Sequence, residues 1–146
     1  MIRMTRLTDY GIVLLAHFAR RPAREVRSAR EIAVASHLPL PTVSKVLKLL
    51  ARKGLLAAHR GVNGGFMLSR PAEEISISEI ITALERPIAI TECNESSGLC
   101  DLEERCPSRS TWKRVNQVVK DALGHITLAE IAQPMTSRAV AGAFRV

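Results

Sequence analysis

The sequence predicts a mainly α-helical chain built on two helices joined by a tight turn, with a β-hairpin directly behind them and a long amphipathic helix further on. Three observations carry this. Aromatic residues make up only 3% of a chain that is 47% apolar, which suits aliphatic helix packing better than a β-sandwich. Val43, Val46, Leu47 and Leu50 fall at i, i+3, i+4 and i+7, the stripe of a helix with one inward face. Leu55–Arg60 and Phe66–Ser69 then read as two short strands around Gly61-Val62-Asn63-Gly64-Gly65, whose Asn63-Gly64 favours a tight hairpin turn. A helix-turn-helix followed at once by such a hairpin is a winged helix.

The elements follow in order. Thr8 is the expected N-cap of the first helix, with Asp9 in its first turn and Val13, Leu14, Leu15 and Phe18 facing inward. That helix ends near Arg20-Arg21-Pro22, and a basic connector, Arg24 to Arg27, follows. Ser28 and Glu31 form a capping box that opens a short helix with Ile32, Ala33 and Ala35 inward. It stops before Pro39, because the residue ahead of a proline disfavours helical geometry. Pro41 suits the first turn of the next helix, and Gly54 its C-terminal exit. Ser76 and Glu79 predict a second capping box, opening a helix through Ile80, Ile81, Ala83 and Leu84 that Pro87 closes. Pro107 can open a long helix to about Leu123, with Trp112, Val115, Val119 and Ala122 in one stripe that Val118 and Leu123 widen. Thr127 caps a last short helix, to about Gln133-Pro134. We divide the chain into a winged-helix domain (1–86), a cysteine segment (87–107), a dimerisation helix with the short C-terminal helix (108–134), and a flexible tail (135–146).

Charge is distributed unevenly. Residues 1–86 hold 14 Lys+Arg against 7 Asp+Glu, and residues 87–146 hold 7 against 7, so the whole excess of +7 lies in the first part. A basic half of this kind points to a polyanion, with nucleic acid ahead of an anionic membrane surface. Thr42, Ser44, Lys45 and Lys48 lie on the outer face of the second helix of the pair, the element that enters a major groove in this fold. Arg60, Asn63 and Gly64 form a wing tip suited to a minor groove, and Ser28, at a helix start, joins the DNA-facing set. No run approaches the ~18 apolar residues of a membrane span. The N-terminus lacks a secretory signal pattern, so a cytoplasmic location is expected. His17, His37, His59 and His125 are scattered, with no nucleophile or carboxylate pair around them, which gives an enzyme no support.

All three cysteines fall within fourteen positions as Cys93-x6-Cys100-x5-Cys106, which with the preceding Glu92 form a stretch of five acids with no basic residue before Arg105. Inert core cysteines fit poorly among acids, glycine and serine. Zinc favours closer pairs and a fourth ligand. A thiol redox switch stays open, although acidic neighbours oppose thiolate formation. In an iron–sulfur cluster the metal itself holds the thiolates deprotonated.

Several stretches together resemble the iron–sulfur cluster-sensing winged-helix regulators typified by IscR and NsrR, and among them the regulators of SUF cluster assembly. They are Leu7-Thr8-Asp9-Tyr10, Leu40-Pro41-Thr42-Val43-Ser44-Lys45-Val46-Leu47, Arg60-Gly61-Val62-Asn63-Gly64-Gly65-Phe66-Met67-Leu68, and the three cysteines ahead of a long helix. The likeness runs from about Arg3 to Pro134. It implies a homodimer on two-fold promoter DNA, with a 2Fe–2S or 4Fe–4S cluster on Cys93, Cys100 and Cys106 near the dimer helices. IscR-type members carry a histidine three residues after the last cysteine. Here that position is Arg109, which stays protonated and cannot donate to iron. The resemblance to NsrR-type members implies Asp9 of the partner subunit as fourth ligand, against its plain role as a first-turn dipole partner. Glu92, Glu103, Glu104 and an exogenous ligand are the other options. The expectation is a repressor sensing cluster status. The alternatives are a nitric-oxide or redox-responsive regulator of the same fold, a metal-free redox interaction protein, and an iron–sulfur carrier.

Overall fold

The computed structural model describes residues 4–22 and 24–133; the expected tail at 135–146 lies outside the described residues. Along the chain run α1 (Arg6–Ala19), α2 (Ala29–Ser36), α3 (Leu40–Arg52), β1 (Leu56–His59), β2 (Gly65–Leu68), a 3-10 turn (Ala72–Glu74), α4 (Ile77–Leu84), α5 (Glu92–Glu95), α6 (Arg109–Gly124) and α7 (Leu128–Ala132). The mainly helical winged-helix class is therefore observed.

The helix pair forms as its sequence dictates. Ser28 Oγ accepts from the Glu31 amide at 3.2 Å, and Glu31 Oε2 accepts from the Ser28 amide at 2.7 Å, closing the capping box. His37 ends α2 in a left-handed conformation (φ 56°, ψ 28°), which turns the chain tightly into α3. Val43, Val46, Leu47 and Leu50 are all buried, and meet Leu14, Leu15, Phe18, Ile32 and Ile80 in one core. At the end of α3 the Gly54 amide bonds to Ala51 O and the Leu55 amide to Leu50 O, a Schellman exit that satisfies two terminal carbonyls.

Helix α1 begins a turn earlier than expected. Thr5, not Thr8, is the N-cap, and its side chain accepts from the Thr8 amide. Thr8 is fully buried, and its hydroxyl donates to Glu85 Oε1 at 2.7 Å, an oxygen that also accepts from the Thr5 amide at 2.7 Å. A carboxylate 77 residues away thus ties the start of α1 to the end of α4. Val13 is exposed rather than inward; Gly11 takes a place on the buried face instead, tight against Leu84.

The hairpin pairs β1 and β2 antiparallel, from Leu56 opposite Leu68 to His59 opposite Gly65. Its turn differs from the expected Asn63-Gly64 geometry. The Gly64 amide bonds back to Gly61 O at 3.0 Å, and the positive φ sits at Gly61 (114°), so Val62-Asn63 form the centre of a wider loop. The connector before α2 is not merely basic linker. Arg27 and Phe66 exchange both backbone hydrogen bonds at 2.8 Å, an isolated antiparallel bridge beside the two-stranded wing root.

At α4, Ser76 caps the Glu79 amide, but the reciprocal half of the expected box is missing because the Glu79 carboxylate pairs with Arg70. The chain returns through α7, whose Leu128 is fully buried in the core that α1 and α3 share. The Ile77 amide bonds to Ile126 O and the Leu128 amide to Ile75 O, both at 2.8 Å. Helix α6 opens at Arg109 behind Ser108, two residues beyond Pro107, and its stripe divides. Val119 and Leu123 are partly buried against the core, while Trp112, Val115, Val118 and Ala122 are exposed. The one buried residue of α6 is polar, Asn116.

Candidate functional site

The basic outer face of α3 follows from the helix period. With Val43, Val46, Leu47 and Leu50 turned inward, Lys45, Lys48 and Arg52 are exposed and Ser44 and Thr42 half-buried. Among the described residues, Lys45, Lys48, Arg52 and Arg60 make no ion pair, leaving their charge for an external anion. Arg60 and Asn63 are exposed on the wing, and Gly64 is half-buried beneath them. The Ser28 hydroxyl donates to Glu31 Oε2 at 2.9 Å and is thus committed to capping. His17 shows the local field. Burial first, then the charges of Arg20, Arg27 and His37, hold its pKa below the ordinary histidine value.

The cysteine segment is fixed between this body and α6. Cys93 stands on α5, with Cys100 and Cys106 in the turns that follow, and all three are free thiols, half-buried. Cys93 Sγ lies 3.2 Å from Thr91 Oγ1, and Thr91 Oγ1 accepts from Asn94 Nδ2 at 2.7 Å. Arg86 pairs with Glu95 at 2.7 Å on the same turn of helix. Further along, Glu103 is buried. Its Oε2 accepts from the Gly98 amide at 2.7 Å and its Oε1 from Arg109 at 2.5 Å, so both carboxylate oxygens are in use. Arg109 Nε is buried without a partner. A cavity of about 310 Å³ opens beside Cys100, lined by Asp101, Glu103, Glu104 and Arg109.

Among the described residues, no three Cys, His, Asp or Glu side chains converge on one point. The structure therefore places Cys93, Cys100 and Cys106 on one segment without gathering them, and Asp9 stands exposed on the first turn of α1. The resemblance-based alternatives differ as well. Glu92 and Glu104 are exposed, and Glu103 is occupied by Gly98 and Arg109.

Sequence reasoning missed Asn116, Glu85 and Arg27. Asn116 Oδ1 accepts from the Ile90 amide at 2.9 Å, and its Nδ2 donates to Ile88 O at 3.1 Å. The one available signal was a polar residue between Val115 and Val119, inside the expected apolar stripe.

A helix-turn-helix with a two-stranded wing, a basic outer face on α3 and a thiol-bearing segment ahead of a half-exposed helix defines a winged-helix transcriptional regulator. The chain belongs to the Rrf2 family of iron-dependent transcriptional regulators, which it matches over residues 4–134. It is similar to the HTH-type transcriptional regulator IscR of Erwinia tasmaniensis, with 27% identity over 130 residues that cover 89% of this chain and 78% of that one. Among solved structures it resembles CymR, the global cysteine regulator of B. subtilis, with TM-score 0.70, 25% identity, and coverage of 90% of this chain and 97% of that one. The fold of IscR from T. potens also superimposes, with TM-score 0.65, 24% identity, and coverage of 92% and 93%. No helix among the described residues is long and apolar enough to cross a membrane.

Proposed function

We propose that this regulator senses iron–sulfur cluster status through Cys93, Cys100 and Cys106, and that it reads two-fold promoter DNA as a homodimer. The observation that carries the proposal is the position of the thiols. They occupy the segment between Ile88, whose side chain lies in the core shared with α3, and α6, which presents an apolar face to solvent.

The donor chemistry fits the group. Three thiols are free and half-buried, and none is committed to a disulfide. Thiolates are the ordinary ligands of iron–sulfur clusters, and Arg109 excludes itself as the fourth because it stays protonated. Asp9 of the partner subunit is our choice for that place, supported by its exposure and by the Glu85–Thr5–Thr8 contacts that hold its turn of helix. A cluster supplies a group whose assembly and loss follow iron supply and oxidants. The chain's own residues do the rest. Lys45 and Lys48 face DNA phosphates, Thr42 and Ser44 face base edges, and Arg60 with Asn63-Gly64 forms the wing contact. Trp112, Val115, Val118 and Ala122 form the face on which a second copy packs. Repression of cluster-assembly genes, with the SUF system first among them, is the regulatory role we assign.

The test begins with a DNA duplex selected by the wild-type protein from a random-sequence pool. Wild-type protein prepared without oxygen is expected to carry iron and sulfide, and to change its affinity for that duplex when the cluster is removed. Colourless, iron-free protein whose affinity follows thiol oxidation would replace cluster sensing with thiol sensing.

A further inference from the structure

Asn116 is the one buried residue of α6, and it is polar in a place the helix period reserves for an apolar side chain. Its amide does what a neighbouring strand would do. It accepts from the Ile90 amide and donates to the Ile88 carbonyl, so a single side chain ties the backbone of 88–90 to α6. One turn earlier, at Trp112, the α6 backbone carbonyl accepts from Asn94 Nδ2 at 3.3 Å. Asn94 also donates to the Thr91 hydroxyl that touches Cys93 Sγ. Residues 88–94 are thus attached to α6 at two points, Asn116 and Trp112, four residues apart on that helix, with Cys93 between them and next to the Asn94 attachment.

The other ends of this stretch reach the DNA-binding body. The Ile88 side chain is buried in the core that contains Val43, Val46, Leu47 and Leu50 of α3. Arg86 pairs with Glu95, and Glu85 holds the start of α1. A displacement of the Cys93 turn can reach α6 directly through Asn94, and it reaches the α3 core through the segment that Asn116 clamps.

We propose that Asn116 is the positioning residue that couples the state of Cys93 to DNA binding, by holding residues 88–90 to α6. The inference rests on the sensing role proposed above. An apolar replacement would leave the Ile90 amide and the Ile88 carbonyl without partners and free the stretch to move apart from α6. Coupling in equilibrium free energy is reciprocal, so the chemical state of Cys93 alters DNA affinity by the same factor as DNA alters the equilibrium of that state. That reciprocity allows a test on cluster-free protein.

The experiment measures the equilibrium affinity for the selected duplex, in protein carrying Cys100→Ser and Cys106→Ser, before and after Cys93 is capped by a thiol reagent. Capping is expected to change the Kd by about fivefold or more, as coupling of typical size requires. Adding Asn116→Ala is expected to bring the two Kd values within about 1.5-fold while DNA is still bound, an outcome that a merely structural role would not give. If Asn116→Ala retains the capping-dependent change, the coupling role is overturned and the sensing role stands. If capping changes nothing in the Asn116-intact protein, this inference is overturned, while the sensing role is decided separately by iron and sulfide analysis. A second measurement needs no variant. Hydrogen exchange at the Ile90 amide in the full-length wild-type protein should shift on DNA binding, and an unshifted amide overturns the proposal even if Asn116→Ala fails to fold.

Discussion

Gly65→Ala tests whether the wing is held by Arg27. A Cβ built on Gly65 would lie 2.3 Å from the Arg27 carbonyl oxygen and 2.6 Å from its carbon, with the Ser28 amide nitrogen at 2.9 Å. These are backbone atoms, so no side chain can swing aside to make room. The wing root must separate from Arg27, and the two Arg27–Phe66 hydrogen bonds at 2.8 Å are lost with it. At a net contribution of about 1 kcal/mol each, the loss is roughly 2 kcal/mol. For a chain of this size that corresponds to a fall of roughly 6–8 °C in the thermal midpoint. On the proposed reading the shifted wing also displaces Arg60 from its DNA contact, which should weaken DNA binding by about five- to tenfold, the equivalent of roughly 1 kcal/mol or slightly more. Thermal unfolding and fluorescence titration of the selected duplex measure the two effects. Val62→Ala is the matched control, because Val62 is fully exposed at the tip and should change stability by less than about 0.5 kcal/mol. If Gly65→Ala melts and binds like Val62→Ala, the Arg27 bridge does not position the wing.

Three further outcomes are expected. Lys48→Ala should weaken binding to all duplexes and lower the salt slope by about one, and an unchanged slope removes Lys48 from the phosphate contacts. The Thr5 amide first, and the Thr8 hydroxyl second, hold the Glu85 carboxyl below the usual carboxylate range. Its stabilisation is therefore complete above the unfolded-state value near 4.5 and is lost as pH falls through the depressed folded value. Glu85→Gln should flatten this acid limb of stability, as followed by chemical denaturation between neutral pH and pH 3; an identical acid limb in both proteins contradicts the bridge. Arg109→Ala leaves the buried Glu103 carboxylate without its cation, so the Gly98 amide should exchange faster while the α3 amides do not. Unchanged protection at Gly98 would mean that the pair does not hold the cysteine segment.

The helix pair and the hairpin were legible in the sequence because they are specified locally. The Ser28 capping box, the Val43–Leu50 stripe and the Gly54 exit each need only residues within two helical turns. What could not be read depends on distant partners. Thr8 is an acceptable N-cap by its type, yet Glu85 draws it into the interior and leaves the cap to Thr5. Asn63-Gly64 has the composition of a two-residue turn, but the approach of Arg27 to Gly65 fixes the register and moves the left-handed residue to Gly61. The α6 stripe was correct as a helix pattern and silent about which half faces the core, since Asn116 owes its burial to the backbone of Ile88 and Ile90. The three cysteines stand out in the sequence by their spacing, but the structure does not gather them. Nothing in that spacing tells how Glu103 and Arg109 hold the segment when the thiols are apart.

Iron and acid-labile sulfide analysis of protein purified without oxygen, with wild type beside Cys93→Ala, is the most direct test of the sensing account. The account predicts stoichiometric iron and sulfide with a visible absorption band in the wild type, and loss of both in Cys93→Ala with the helical fold kept. A wild type that binds DNA but never carries iron, or a Cys93→Ala protein that keeps its full iron and sulfide, would contradict it.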